Sequence, residues 1–160
     1  IVDAFTFFNE KELVELRVKY LNDIVDCFLV VEADHTHTGK KKTWNFPEVL
    51  NSSLKNYSSK IQYHQMKVDL KKAEAEKSPN YKGGTWGRSW RVDTMQRNFL
   101  KEAYSKLPPS DDIIIISDLD EIPNLQSVNF KNIKEKINIF KQKMFYYKLN
   151  LYIEDFVWHG

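Results

Sequence analysis

The sequence predicts an α/β fold with a mostly parallel sheet and helices on both faces. Apolar runs rich in β-branched residues alternate along the chain with segments whose apolar residues recur at helical spacing. One run, 113–116, consists of four consecutive isoleucines, as expected for a strand that is covered on both faces of a parallel sheet. Strands that alternate with helices are typical of α/β proteins, because parallel neighbours need crossover connections.

Composition restricts the class of protein. The chain has 160 residues, of which 42% are hydrophobic, so we expect a single domain over 1–160 with one core. The net charge of +2 is too small to indicate a nucleic-acid-binding surface. No apolar stretch approaches the roughly 20 residues of a membrane span.

The first elements follow from local signals. Residues 1–8 form an apolar, β-rich run that predicts a strand. Asn9 followed by Glu12 resembles a capping box, and apolar residues then recur at helical spacing as far as Leu21. The run 27–32 predicts a second buried strand, in which Cys27 is interpreted as a small buried hydrophobe.

The later elements are predicted by the same patterns. A polar loop over 33–47 precedes a short strand near 61–66, and the Lys-, Glu- and Gly-rich segment 67–87 is expected to be the most mobile part. The helix that follows carries its apolar residues on one side. The remaining predictions are a helix over 89–105, the central strand ending at 116, a helix over 128–140 and a strand over 144–153.

Three carboxylates follow the central apolar run: Asp118, Asp120 and Glu121. In open α/β sheets, ligands bind beyond the carboxyl ends of the strands. Asp118 and Asp120 point the same way if the chain remains extended, so they can share one hard cation. Oxygen ligands favour Mg²⁺ or Mn²⁺ over zinc. The alternative is that these acidic residues are ordinary turn formers.

Four blocks in this order resemble glycosyltransferase family 17: residues 3–17, 21–32, 36–46 and 117–123. The resemblance implies a Rossmann-like glycosyltransferase type A fold. It also implies an inverting enzyme that moves a sugar, N-acetylglucosamine, from a UDP-sugar donor to a hydroxyl of a glycan or glycoconjugate acceptor. In this family the Asp-x-Asp motif would hold a divalent metal, Mn²⁺ or Mg²⁺, against the donor diphosphate.

The resemblance also suggests roles within the acidic motif. Asp120 is the first choice for direct metal contact, and Asp118 is assigned to the ribose or to indirect support of the metal. Glu121 could bind a metal-bound water or cap the next turn, and both alternatives stay open. Family members continue beyond the segment that resembles 146–158, so the fold is expected to be short at its C-terminal end. The catalytic base is unassigned, with Glu154 and Asp155 as weak candidates.

The donor nucleotide is expected at the ends of the first two strands. Phe8, Asn9 and Glu10 follow the first strand and would face the crevice, although Asn9 could equally cap the helix. Glu32 ends the second strand, where it could accept hydrogen bonds from the ribose or base. The competing interpretation of Glu32 is a solvated strand end.

Other residues have open alternatives. Arg97 matches an arginine at a similar place in the family. It could pair with phosphate or with the acidic motif. The alternative is an ordinary surface arginine. Trp86 and Trp90 could form a sugar-stacking lid or pack in the core. His35 and His37 lack further zinc ligands and are interpreted as loop residues.

Two rival functions remain at this stage. A metal-dependent nucleotidyltransferase should show a Gly-rich phosphate loop after the first strand, and none is present. A non-catalytic nucleotide-sugar or glycan-binding module would bind the donor without turnover. The richness in Lys, Asn and Ile suggests a microbial or viral genome and a cytoplasmic location, or the Golgi lumen for a eukaryotic chain that has lost an N-terminal anchor.

Overall fold

The structure, a computed structural model, describes residues 1–75, 87–109, 113–145 and 151–159, without the side chains of 73–75, 87–91, 155–156 and 158–159. The predicted lid residue Trp86 and the side chain of Trp90 therefore lie outside the described part. Contacts divide the chain into two compact units, Ile1–Leu119 and Asp120–Gly160. Each unit is described by itself.

The first unit alternates strands and helices. None of the helices that the structure describes is both long and apolar enough to span a membrane. A 3₁₀ turn over Lys55–Lys60 precedes the third strand. The elements are β1 (Val2–Phe7), α1 (Lys11–Leu21), β2 (Cys27–Ala33), α2 (Phe46–Asn51), β3 (Ile61–Met66), α3 (Leu70–Ala75), α4 (Gly87–Tyr104) and β4 (Ile114–Ile116).

The sheet of the first unit has four parallel strands in the order β3-β2-β1-β4. Val2 of β1 lies opposite Cys27 of β2 on one side and opposite Ile114 of β4 on the other. The chain therefore runs outward from β1 to β3 and then returns to place β4 on the free side of β1. This arrangement confirms the predicted parallel α/β architecture and is compatible with a Rossmann-like fold.

Helices cover both faces of this sheet, as predicted. On one face, Leu29 and Val31 pack in a cluster with Leu100 and Ala103 of α4. Cys27 is half-buried and packs against the same cluster. Because side chains alternate along a strand, Phe7 points to the opposite face. There its ring meets the ring of α2 residue Phe46 edge to face, with centroids 5.2 Å apart.

The predicted capping box at the start of α1 is wrong. The helix begins at Lys11 with Glu10 at the capping position, and no side chain caps it. Instead, the Glu10 carboxylate accepts hydrogen bonds from the backbone N–H groups of Phe8 and Asn9. The carboxylate therefore orders the β1 to α1 connection, and Asn9 is left exposed on the surface.

The central strand is shorter and more exposed than predicted. β4 comprises only Ile114–Ile116, and of these residues only Ile115 is buried. Ile116 keeps 61% of its surface exposed. The expectation that this run is covered on both faces is therefore wrong within the described residues. β4 has one described sheet neighbour, β1, so less of the fold packs against it than against β1 or β2.

The second unit contradicts two further predictions. The helix expected over 128–140 is absent, and the structure has 3₁₀ turns at Leu125–Ser127 and Phe130–Asn132 instead. The Asn129 side chain accepts a hydrogen bond from the Lys131 backbone N–H, a local bond that competes with helix formation. Of the strand expected over 144–153, residues 146–150 lie outside the described part. The described residues on either side belong to an antiparallel pair, β5 (Lys141–Phe145) and β6 (Tyr152–His159), so they do not form one continuous strand.

His64 of β3 predicts a pH dependence of stability. Its Nε2 atom is buried without a hydrogen-bond partner in the described structure. Burial, and then the positive charge of Lys106, lowers the pKa of His64 below its ordinary value. As the pH falls, the unfolded chain therefore takes up the proton first. The contribution of neutral His64 to stability is fully present above about pH 6.5 and decreases as the pH falls below that value.

The test is thermal unfolding of the wild type and of His64→Gln at pH 7.5 and pH 5.5. Glutamine cannot take up a proton in this range, so the difference in Tm between the two pH values should be smaller in the variant. An equal difference in both proteins would show that His64 does not contribute to the pH dependence.

Candidate functional site

The candidate site lies at the carboxyl edge of the parallel sheet in the first unit. The order β3-β2-β1-β4 places the reversal of strand order between β1 and β4. Open α/β sheets bind ligands at this switch point, outside the carboxyl ends of the strands. The segments that leave the two strands here are the loop from Phe8 to Glu10 and the chain from Ser117 to Leu119.

A buried arginine holds the chain that leaves β4. Arg17 of α1 is fully buried and forms a two-pronged ion pair with Asp3 of β1, with distances of 2.8 and 2.7 Å. Its Nη2 also donates to the Ser117 hydroxyl at 2.7 Å. Its Nη1 donates to the backbone carbonyls of Asp118 and Leu119 at 2.7 and 3.2 Å. The first residues of the acidic motif are therefore attached to α1 and β1 by one guanidinium.

These bonds also explain why the chain is not extended through the acidic motif, as had been expected. β4 ends at Ile116, and Leu119 and Asp120 lie in a turn. The carbonyls of Asp118 and Leu119 accept bonds from Arg17, so they are not part of a strand ladder. Side chains alternate only along an extended chain, so the prediction that the carboxylates of Asp118 and Asp120 point the same way does not apply here.

A second arginine contacts the side chain of the motif. Arg97 of α4 donates from Nη2 to Asp118 Oδ1 at 2.6 Å and from Nε to Asp93 Oδ2 at 2.9 Å. His37 Nε2 lies 3.9 Å from the other oxygen of Asp93. Burial lowers the pKa of Arg97, but the bonds and charges of the two carboxylates outweigh it and raise the pKa. Of the three predictions for Arg97, pairing with an acidic residue of the motif is confirmed.

The loop after β2 carries His35 and His37, which the structure confirms as loop residues. An isolated bridge between His35 and Lys41 closes the loop. Gly39 has a φ of 80°, a value that favours glycine, and its N–H donates to the Thr36 carbonyl at 2.8 Å. The turn places His37 next to Asp93 of α4.

Glu32 is buried, so the predicted solvated strand end is wrong. Its Oε1 accepts bonds from the Lys42 ammonium and the Asn45 N–H, and its Oε2 from the Phe46 N–H and the Tyr63 hydroxyl. Burial, and then the bond to Glu32, raises the pKa of Tyr63. Four donors on one carboxylate favour a role in holding the 42–46 segment over direct contact with a donor nucleotide.

The segment 42–46 also contacts the residues that follow β1. Asn45 donates from its side chain to the Phe8 carbonyl at 2.8 Å. The Lys42 ammonium lies 5.4 Å from the centre of the Phe8 ring and 5.9 Å from that of Trp44. Asn9 and Glu10 are exposed at this edge, as a contact with a donor requires. The ammonium therefore lies within cation–π distance of both rings.

Two positioning residues were assigned no role from the sequence. Gln96 of α4 is buried and donates to the carbonyls of Phe7 and Val31 at 3.4 and 3.2 Å, so it joins α4 to the ends of β1 and β2. Arg17 is the other. Two signals in the sequence could have identified these residues. Each of them is a polar residue on the apolar side of a helix, and Asp3, the partner of Arg17, lies within an apolar strand.

The acidic motif offers few ligands to a metal. Among the described residues, no three side chains of the His, Cys, Asp and Glu types lie close enough together to hold an ion. Mg²⁺ usually takes only one or two carboxylates and completes its shell with water and substrate phosphates. Asp120 is exposed, and Asp118 is 39% exposed. Each carboxylate, taken by itself, is a hard oxygen ligand of the kind that Mg²⁺ or Mn²⁺ accepts.

Comparison with known proteins identifies the family. The proteins named beta-1,4-mannosyl-glycoprotein 4-beta-N-acetylglucosaminyltransferase from Rattus norvegicus, Homo sapiens and Mus musculus are each 29% identical to this chain over 133 residues. The match covers 81% of this chain but only 23% of each relative. No solved structure matches significantly. The sequence profile of glycosyltransferase family 17 matches residues 1–160, so the chain belongs to that family.

Proposed function

We propose that residues 1–160 form the donor-binding domain of an inverting N-acetylglucosaminyltransferase. The enzyme would move N-acetylglucosamine from a uridine diphosphate donor to a glycan hydroxyl. The observation that carries the proposal is the attachment of the acidic motif to the sheet by Arg17, at the switch point where α/β proteins bind nucleotides. The family match over the whole chain and the names of the relatives supply the sugar and the reaction class.

Asp120 would hold the metal directly, and Asp118 would support it or bind the ribose. When bound, Mn²⁺ or Mg²⁺ would offset the negative charge that develops on the departing nucleoside diphosphate. Glu121 retains both of its candidate roles, as a partner for a metal-bound water and as a cap of the following turn. The hard oxygen ligands and their exposure support this assignment.

The chain's own residues would prepare the site. Arg17 keeps Ser117 to Leu119 in one conformation, which limits the entropy that donor binding must remove. Glu10 orders the backbone of the segment that would face the nucleotide. An inverting transfer needs one in-line displacement and a carboxylate that takes the proton of the acceptor hydroxyl. Glu154, exposed on β6, and Asp155, whose side chain lies outside the described part, stay as candidates for that base.

The test is calorimetric titration of UDP-N-acetylglucosamine into the protein with and without Mn²⁺, with GDP-mannose as a control nucleotide sugar. We expect binding of the UDP-sugar that requires the metal, and no comparable binding of GDP-mannose. Release of UDP that depends on a mannose-containing N-glycan would show transfer, because hydrolysis of the donor by water would release UDP without the glycan. Metal-dependent binding without any transfer would support the non-catalytic alternative, and no binding under either condition would contradict the proposal.

A further inference from the structure

We propose that Arg97 holds the Asp118 carboxylate in the donor-free protein, so that Asp118 cannot support the metal, and that Arg97 turns to the donor diphosphate when metal and donor bind. This inference rests on the proposed function. Arg97 would therefore couple metal binding to donor binding, and Asp93 would be the residue that positions it.

The first step concerns charge. The Arg97 guanidinium lies between two carboxylates, 2.6 Å from an oxygen of Asp118 and 2.9 Å from an oxygen of Asp93. The single positive charge of Arg97 is therefore shared between two negatively charged carboxylates. A cation that approaches Asp118 meets both the guanidinium charge and an oxygen that already accepts a hydrogen bond. Binding of the metal alone should therefore be weaker than the carboxylate would otherwise allow.

The second step concerns how easily the pair separates. Arg97 and Asp118 are 44% and 39% exposed, respectively. Exposed ion pairs contribute little stability, so the pair can open at small cost when a better partner arrives. Asp93 precedes Arg97 by one turn of α4 and is only 14% exposed. The Asp93 bond keeps the guanidinium at the edge of the site after it leaves Asp118.

The third step concerns the new partner. A guanidinium binds phosphate as well as carboxylate, through paired N–H donors. A nucleoside diphosphate at the switch point would bring phosphate oxygens to the arginine and additional ligands to the metal. The arginine would then no longer compete for Asp118. Metal and donor should consequently increase each other's affinity, and Arg97 should account for part of this coupling.

The test is titration of the full chain with Mn²⁺, with free Mn²⁺ measured by electron paramagnetic resonance, in the presence and absence of UDP. Without UDP, Arg97→Gln should bind Mn²⁺ about two- to fivefold more tightly than the wild type, as expected for loss of an exposed ion pair. The increase in Mn²⁺ affinity caused by UDP should be smaller in Arg97→Gln than in the wild type.

Lys101→Gln is the matched control, because Lys101 lies one turn further along α4 and is exposed. It removes the same charge and should leave both Mn²⁺ affinities unchanged. If Asp118→Asn weakens Mn²⁺ binding but Arg97→Gln does not strengthen it, the inference on Arg97 is wrong while the metal site stands. If the wild type binds no Mn²⁺ even with UDP, both the inference and the proposed metal site fail.

Discussion

Replacing Arg17 with methionine is expected to lower the free energy of unfolding by about 3–5 kcal/mol, the usual cost of removing one partner of a buried ion pair. Arg17 and Asp3 are both fully buried. The substitution leaves the Asp3 carboxylate without its counter-charge, and it removes the donors to the Ser117 hydroxyl and to two backbone carbonyls. Urea unfolding of the wild type and the variant measures the effect.

The double variant Asp3→Val with Arg17→Met is the informative control. Because it removes both charges, it should recover most of the lost stability. Lys19→Met, on the exposed side of α1, should leave the stability nearly unchanged. If the double variant is no more stable than Arg17→Met, loss of packing or of the carbonyl contacts causes the effect, and the unpaired carboxylate does not.

The double variant also tests the functional role of Arg17. It should be folded, yet the chain from Ser117 to Leu119 would have lost its attachment to α1. We therefore expect weaker metal-dependent binding of UDP-N-acetylglucosamine than in the wild type. Unchanged binding would show that Arg17 stabilises the fold without preparing the site.

Asp120→Asn is expected to reduce metal-dependent binding of UDP-N-acetylglucosamine by about 100-fold or more. Loss of a residue that merely supports a metal ligand already costs about 10- to 100-fold, and Asp120 is the proposed direct ligand. Asparagine keeps the size of the side chain and removes its charge, and Asp120 is exposed, so the stability should change little. Calorimetric titration in the presence of Mn²⁺ measures the loss.

Glu135→Gln is the matched control, since Glu135 is an exposed carboxylate in the same unit and outside the motif. It should bind the donor as the wild type does. Retention of full affinity by Asp120→Asn would remove Asp120 from the proposed site. In that case Asp118, whose carboxylate is already paired with Arg97, would be the remaining candidate ligand of the Asp-x-Asp pair.

Most of the parallel sheet could be predicted because its strands carry a strong local signal. The runs that form β1 and β2 are apolar almost without interruption, as strands buried on both faces must be. The helix α4 was predicted over 89–105 and extends over Gly87–Tyr104 because its apolar residues repeat at helical spacing. The spacing of apolar residues within such a segment by itself determines which side of the helix is buried.

The second unit was predicted poorly because its signals are weak and compete. Ile137 and Ile139 are 83% and 63% exposed, so the apolar residues of 128–140 mark no buried helix face. Asn129 bonds to the local backbone instead of leaving it to a helix. The capping box at Asn9 failed for a related reason, since the Glu10 carboxylate binds the Asn9 backbone N–H, which the Glu12 side chain would bind in a capping box.

The sequence by itself determined the four strands and the two longer helices of the first unit, the parallel sheet, the place of the acidic motif after a strand and the family. Those properties depend on residues that are close in sequence or on blocks that can be matched. The short helices α2 and α3 were not predicted. Only the tertiary structure decided that Arg17 holds Ser117 and that Arg97 pairs with Asp118. These partners are distant along the chain, and a charged side chain finds its partner only when packing of the helices on the sheet brings the two within hydrogen-bond distance.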